Sequence, residues 1–375
     1  MPLGSGAASS DEVCRILLLS AAMGSGHLQI ARELERRLRA RGHLTLLLDQ
    51  VDLMLGPTGR WLGWLNSWLV DRRPRLYQWI YERFFLAPQR AGERAGIPVR
   101  LALTRLSRVV EEFQPDLALS TYPLSALALG ELRQRGTLRC PIVTVVTTFS
   151  VNNLWVHPGV DLEMCISEPA AWDAEARTGR PAVVCGPVVR PAFLRPADGT
   201  GTRQRLVSDP DDRVALITTG SMGVAGGADV AATALARTPG WTPVVLCGHN
   251  EQLADRLRRH PGVIALDWVD DMAALMAAAD VLVDNNCGMS AKEALAAGLP
   301  VVTFRPISGH GRDDAEAMAG LGLTDQVYDE DSLVAAVQRL VGDRDVRAER
   351  IRRGKSMFVA DAAALLEDVL AVEPP

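Results

Sequence analysis

The chain has 375 residues, 48% of them hydrophobic and 23% charged, and a net charge of −5. This composition describes a folded protein with room for two domains, and the mildly acidic charge excludes a surface built broadly for nucleic acid. Six scattered cysteines form no CxxC pair, which excludes a disulfide framework and a zinc site and indicates a reducing compartment.

The N-terminal sequence MPLGSGAASSDEV lacks the apolar core of a signal peptide. No run reaches the roughly 20 apolar residues of a membrane-spanning helix. We therefore expect a cytoplasmic protein that can still touch a membrane surface, peripherally on the inner face of the plasma membrane.

The first half of the chain alternates apolar runs with amphipathic segments, which is typical of parallel sheets. The run at 15–19 predicts a buried strand, and the sequence GSGH then leads into a helix at 28–41. Further strands are predicted at 44–48, 116–120 and 141–147, with a helix near 101–113.

Residues 58–90 break this alternation and form an aromatic and basic segment with four of the eight tryptophans. Trp61, Trp64 and Trp68 recur at helical spacing, with arginines around them. Tryptophan and arginine together suit a helix that lies on an anionic membrane surface. A helical hairpin packed on the core explains the same pattern, and both interpretations stay open.

The alternating pattern restarts in the second half of the chain. A predicted strand at 213–218 leads into the glycine loop 220–223 and then a helix. Later strands are predicted near 243–247, 263–266 and 281–284.

A proline-rich stretch at 187–202, which ends in DGTGT, predicts a hinge between the two halves. We infer two Rossmann-like α/β domains, at 1–190 and 203–375, the first carrying the insertion 58–90. Because ligands of such sheets lie at the carboxyl ends of the strands, we expect the active site in the cleft between the domains.

His27 stands where the first long helix begins. The preceding Gly24-Ser25-Gly26 is too short for a dinucleotide fingerprint, since Gln29 occupies the place of the third glycine, and no P-loop lysine follows. The helix N-terminus disfavours imidazolium and so keeps the ring neutral, as a general base requires. A histidine that only caps or packs the helix is the alternative.

Two loops of the second half suit a nucleotide. Gly220, Ser221 and Met222 precede a helix whose free backbone N–H groups would accept a diphosphate. In the stretch DNNCGMSAKEALAAGLP, Gly288 and Ser290 offer a close backbone and a hydroxyl to phosphate, and the Glu293 carboxylate can accept two hydrogen bonds from a ribose diol. A solvated first-turn carboxylate is the alternative for Glu293.

Several motifs, taken together and in order, resemble one known family. They are GSGHLQIARELERRLRARGH, GSMGVAGG, CGHNEQL, LDWVDDMAALMAAADVLVD, GMSAKEALAAGLPVV and RPISGHGRDDA. They resemble the GT-B glycosyltransferases of the monogalactosyldiacylglycerol synthase and processive diacylglycerol glycosyltransferase group, which is related to the enzyme that makes lipid II. The resemblance spans roughly residues 14–325, and the aromatic segment resembles that group's acceptor-side region.

The resemblance implies an inverting hexosyltransferase of the GT-B fold. A UDP-sugar held by the C-terminal domain would be the donor, and a diacylglycerol-like lipid or other lipophilic hydroxyl compound at the membrane would be the acceptor. Enzymes of this kind need no catalytic metal or other cofactor, because helix dipoles and backbone amides stabilise the leaving UDP.

The resemblance also assigns residues. His27 matches a histidine near both acceptor and donor and becomes the candidate base, while Gly24 and Gly26 give clearance for sugar and acceptor. Trp268, Val269 and Asp270 match the segment facing uracil, and His310 and Asp314 match the loop near the sugar. The remaining donor-side matches are Gly220, Ser221, Met222, Gly248, Asn250, Gly288, Met289, Ser290 and Glu293.

The chain departs from the family on the acceptor and sugar side. Thr148 stands where the family has an aspartate that could help deprotonate the acceptor, and Tyr122 replaces a histidine. Cys287 replaces the first glycine before the ribose glutamate, and His310 replaces the sugar-facing glutamine. Two other functions stay open: a UDP-sugar 2-epimerase of the same architecture, and a degenerate protein that binds nucleotide-sugar without catalysis.

Overall fold

The first sheet is built from the apolar runs of the N-terminal half. The computed structural model describes residues 13–22, 26–53, 65, 68–69, 72–83, 97–207, 209–221, 223–224 and 226–371. Six parallel strands lie in the order β2-β1-β3-β4-β5-β6. They are β1 Arg15–Ser20, β2 Leu44–Asp49, β3 Leu117–Ser120, β4 Ile142–Val145, β5 Leu162–Cys165 and β6 Ala182–Val184.

Helices cover both faces of this sheet, so its inner strands are buried on both sides. The helices described in this half are α1 Gly26–Ala40, α2 Gln50–Leu53, α3 Pro74–Tyr81, α4 Ile97–Phe113, α5 Pro123–Gln134, α6 Glu168–Thr178 and α7 Pro191–Leu194. The strands predicted at 15–19, 44–48, 116–120 and 141–147 are confirmed to within a few residues.

The second sheet repeats the plan with the strand order β12-β11-β10-β7-β8-β9, again parallel. Its strands are β7 Arg213–Thr218, β8 Trp241–Leu246, β9 Ile264–Leu266, β10 Val281–Asp284, β11 Val301–Phe304 and β12 Thr324–Val327. The helices described in the second half of the chain are α8 Thr200–Leu206, α9 Ala228–Ala236, α10 Glu251–Leu257, α11 Met272–Ala277, α12 Met289–Ala297, α13 His310–Gly320, α14 Glu330–Gly342, α15 Arg344–Ser356 and α16 Ala362–Leu370.

Part of the stretch predicted as a hinge is packed into the apolar core, while residues 194–198 are exposed. Val189 and Phe193 are buried in the cluster beneath the second sheet, together with Phe149 from the first half. A Cβ at Gly199 would lie 2.5 Å from the backbone of Ala277, so the chain passes close against helix α11 there.

The last helix returns to the first half. Ala362, Ala363 and Leu366 of α16 are buried in the cluster that covers one face of the first sheet. Ion pairs support this packing, since Arg41 of the first half contacts both Asp361 and Glu367 at 2.6 Å. The division predicted at 190 and 203 does not anticipate this return.

The two doubly wound sheets confirm the predicted α/β class. Among the described residues, no helix is long and apolar enough to cross a bilayer.

Candidate active site

A cleft of about 640 Å³ lies between the carboxyl ends of the two sets of strands. Loops after β1 and β4 form one wall, and loops after β7 to β11 form the other. The predicted site residues that line the cleft are Gly26, His27, Thr148, Gly220, Ser221, Gly248, Trp268, Val269, Asp270, Gly288, Met289, Ser290, Glu293, His310 and Asp314.

Seven predicted residues are not placed in this wall. Four of them, Gly24, Trp61, Trp64 and Met222, lie outside the described residues. The other three are described but do not line the cleft; they are Asn250, Tyr122 and Trp68.

Asn250 and Tyr122 support cleft residues from behind. The Asn250 amide donates to the Gly223 carbonyl at 2.8 Å, and its oxygen accepts from the Leu253 N–H at 3.0 Å. Asn250 therefore holds the glycine loop and caps α10. Both ends of its side-chain amide are used within the protein and do not face the cleft. Tyr122 packs edge-on against the His27 ring at 5.2 Å.

The His27 ring is fixed by the ends of two neighbouring strands. Its Nδ1 lies 3.0 Å from the carbonyl oxygen of Thr121 and 3.0 Å from Thr147 Oγ1. A carbonyl oxygen only accepts hydrogen bonds, so Nδ1 carries the proton, and the neutral ring keeps Nε2 as its basic nitrogen. Burial, together with the charge of Lys292, lowers the pKa of His27 to about 4.

Thr148 lines the cleft at the position where the resembled family has an aspartate. Its hydroxyl donates to the Ser150 carbonyl at 2.7 Å and closes a local turn. The nearest acidic residue that this loop engages is Asp314, whose Oδ1 accepts from the Ser150 N–H at 2.8 Å and hydroxyl at 2.6 Å. Burial raises the pKa of Asp314 to about 6, and the charge of Lys292 opposes that rise.

Two glycine loops of the second sheet pack directly on each other. Gly248 has a φ of +58°, and a Cβ there would lie 2.6 Å from the Ser221 carbonyl oxygen and 2.7 Å from that of Gly220. Only glycine fits this approach without moving backbone. The contact fixes the loop after β7 in the floor of the cleft.

The turn after β10 is tied by carboxylate and amide side chains. Asp284 accepts from the N–H groups of Asn286 at 3.0 Å and Cys287 at 2.5 Å, and Asn286 accepts from Gly288 at 2.8 Å. Cys287 adopts a left-handed φ of +51°. The turn thereby aims the N-terminus of α12 into the cleft, where orphan N–H groups attract anions.

Glu293 is a buried carboxylate in the wall of this cleft, only 4% exposed. Among the residues that the structure describes, its Oε1 has no hydrogen-bond partner, and the guanidinium of Arg190 is 3.7 Å away. Burial raises the pKa of Glu293 to about 7, and Arg190 opposes that rise. An acceptor group buried without a partner is costly unless a ligand supplies donors.

Trp268 presents a flat aromatic surface in the cleft wall that the loops after β7 to β11 form. Its ring stacks on His249 with centroids 4.7 Å apart, and its indole N–H donates to Asp270 at 3.0 Å. Val269 follows it in the lining of the cleft.

Helix α3, from the aromatic and basic segment, packs against the start of α13, which carries the cleft residues His310 and Asp314. Tyr77 hydrogen-bonds His310 Nδ1 at 3.1 Å, Tyr81 donates to Asp313 at 2.8 Å, and Gln78 accepts from the Gly309 N–H at 2.7 Å. Burial lowers the pKa of His310, so its ring favours the neutral form.

Helix α3 has features of both interpretations of its segment, the membrane-surface helix and the helix packed on the core. Tyr77 and Tyr81 are buried against the second half of the chain, as core packing predicts. Leu76 and Trp79 point outward, with Trp79 57% exposed. One face of α3 therefore packs, and the other exposes apolar side chains to solvent.

Two family matches cover different parts of the chain. Residues 93–189 match the family described as monogalactosyldiacylglycerol (MGDG) synthase, and residues 213–343 match glycosyl transferases group 1. A processive diacylglycerol beta-glucosyltransferase of Bacillus subtilis (strain 168) is 24% identical over 370 residues, which are 95% of this chain and 94% of that protein.

Solved structures give the same architecture. MurG of Acinetobacter baumannii superposes with a TM-score of 0.61 at 14% identity, over 96% of this chain and 99% of that one. The glycotransferase of kitacinnamycin superposes with a TM-score of 0.63 at 20% identity, over 96% and 100%. The chain has the GT-B fold. Its resemblance to the glycolipid glycosyltransferases of that fold is confirmed.

Sequence reasoning missed three groups that shape this GT-B cleft. Lys292, Arg190 and the Asp284–Asn286 turn line it, although none of their side chains was singled out. Lys292 carries the clearest signal, because it is one of only two lysines in a chain rich in arginine.

Proposed function

We propose that this protein is an inverting, metal-independent hexosyltransferase, which moves a hexose from a UDP-sugar to a hydroxyl of a diacylglycerol-like lipid. Full-length similarity to diacylglycerol glucosyltransferases supports the substrate classes. The main support for the donor site is Glu293, a buried carboxylate in the cleft whose Oε1 accepts no hydrogen bond from the described residues.

The cleft wall formed by the loops after β7 to β11 offers one group for each part of UDP. Glu293 accepts the ribose diol, and the Trp268–Val269 segment borders the uracil. The diphosphate lies at Gly220, Gly248 and the N-terminus of α12, where backbone N–H groups stabilise its charge. His310 and Asp314 lie at the sugar end.

The first sheet supplies the acceptor side. Gly26 leaves open space, since a Cβ there would meet only Met289, at 3.7 Å. The acceptor hydroxyl loses its proton to His27 Nε2 as its oxygen attacks the anomeric carbon, and the Thr121 carbonyl holds the ring in the required tautomer. Thr148 and Tyr122 mark the changed acceptor surroundings.

Membrane contact at the inner leaflet would present the lipid. The outward face of α3 carries Leu76 and Trp79, exposed Arg75 lies beside them, and Trp68 is partly exposed. Apolar and cationic side chains on one face suit an anionic bilayer surface. The protein would then bind the membrane peripherally.

The activity test follows UDP release from UDP-glucose or UDP-galactose in the presence of diacylglycerol vesicles. His27→Ala should lower kcat by roughly 10²- to 10⁴-fold with UDP affinity retained, because only proton transfer is removed. Exposed His260→Ala is the matched control. Unchanged turnover in His27→Ala contradicts the base, and UDP-GlcNAc consumed without acceptor would identify a 2-epimerase instead.

The wild-type pH profile provides an independent check on His27. A base with a pKa of about 4 is lost only as pH falls through that value, so kcat measured at saturating UDP-sugar should stay level from pH 7 down to pH 5. An inflection near the ordinary histidine value, about 6.5, would place the base elsewhere.

Donor binding should depend on pH through Glu293. Its ionised form accepts the diol hydrogen bonds, so uridine affinity should rise with pH through about 7 and level off above it. Glu293→Gln should weaken uridine about tenfold and abolish both the pH dependence and the preference for uridine over 2′,3′-dideoxyuridine. Calorimetry that finds that preference intact would place the ribose elsewhere.

Membrane contact is tested by flotation with phosphatidylglycerol vesicles. Trp79→Ser should weaken binding about tenfold, because one large apolar side chain no longer enters the interface. Trp172→Ser is the matched control, since Trp172 is 66% exposed on α6. Equal binding by Trp79→Ser and wild type would remove α3 from the membrane face.

A further inference from the structure

Lys292 is a buried cation inside the cleft. It is 3% exposed, lies one turn into α12, and lines the cavity between the two sheets. The arginines that also line the cleft lie at its rim, with the side chains of Arg36 and Arg190 about half exposed. Burying a cation is costly unless anions or hydrogen-bond acceptors surround it.

The described residues satisfy only part of the hydrogen-bonding capacity of the Lys292 ammonium. The Lys292 ammonium donates to the carbonyls of Cys287 at 2.9 Å and Gly288 at 3.3 Å, and lies 5.3 Å from the Phe149 ring centre. An ammonium has three N–H donors. Among the described residues, these two carbonyls are the hydrogen-bond acceptors within reach, which leaves one donor for a ligand.

The charge has acidic neighbours on two sides. Burial lowers the pKa of Lys292, while the carboxylates of Asp314 and Asp284 raise it and so favour the ammonium form. The same ammonium lowers the pKa of His27, which places the cation within electrostatic range of the base. Lys292 and His27 line the same cleft, so the ammonium borders the space that the proposed donor would fill.

We propose that the Lys292 ammonium contacts the β-phosphate of the nucleotide-sugar and stabilises its leaving. This inference rests on the proposed donor site. As the acceptor oxygen forms its bond to the anomeric carbon, the bond from that carbon to the β-phosphate oxygen breaks. The electron pair stays on that oxygen, the acceptor proton goes to His27, and a charge-assisted hydrogen bond from Lys292 strengthens as the negative charge grows.

Three ligands of increasing charge separate this role from a structural one. Calorimetry with uridine, UMP and UDP compares wild type, Lys292→Met and Lys355→Met, the last being the chain's other lysine, which is exposed. Lys292→Met should bind uridine and UMP as wild type does and bind UDP about 10- to 100-fold more weakly. It should also lower kcat with the lipid acceptor.

Equal losses for all three ligands would overturn the proposal, because Lys292 would then only hold the Cys287–Gly288 turn. Wild type that binds neither uridine nor UDP would instead refute the donor site itself. The two failures are therefore distinguishable.

A measurement on the unaltered chain covers the case in which Lys292→Met fails to fold. Only two lysines are present, so protein labelled with ¹³C at lysine Cε gives two side-chain signals, and Lys355→Arg assigns them. Saturating UDP should shift the Lys292 signal, uridine should leave it in place, and Lys355 should respond to neither. A Lys292 signal that ignores UDP would overturn the proposal.

Discussion

Asp314 accepts two hydrogen bonds from Ser150, and this contact joins the loop after β4 to the second turn of α13. Neither half of the chain contains a complete site, so the cleft depends on such bonds between the halves. Helix α3 adds three more through Tyr77, Gln78 and Tyr81. Because these groups are partly shielded from water, each bond is stronger than at a fully exposed surface, and each would be costly to leave unmade.

The two halves of the chain bring different electrostatic environments to the cleft. The first sheet presents a neutral histidine whose tautomer is set by the Thr121 carbonyl, while the second presents a carboxylate and an ammonium within one helix, Glu293 and Lys292. In the proposed reaction, a base and a site for the anionic leaving group face each other across the cavity. That separation suits a displacement in which the acceptor and the departing diphosphate lie on opposite sides of the sugar carbon.

Much of the fold follows from local pattern, since apolar runs closed by glycine loops predicted β1, β7 and β10 within a few residues. Strand β5 was missed because Glu163 interrupts its apolar run, although that carboxyl is fully buried. The return of α16 to the first half is a long-range contact that no local pattern encodes. Lys292 was overlooked because a lysine in the first turn of a helix is typical of a solvated position, and only the tertiary fold buries it.

In the proposed function, the nucleotide binds to the second sheet, whereas the first glycine loop, before His27, serves the acceptor. A crystal structure with UDP tests this most directly. We expect ribose hydroxyls on Glu293, uracil beside Val269, and phosphates at Gly220 and the start of α12. UDP bound instead at Gly26 on the first sheet, with Glu293 free of ligand, would contradict it.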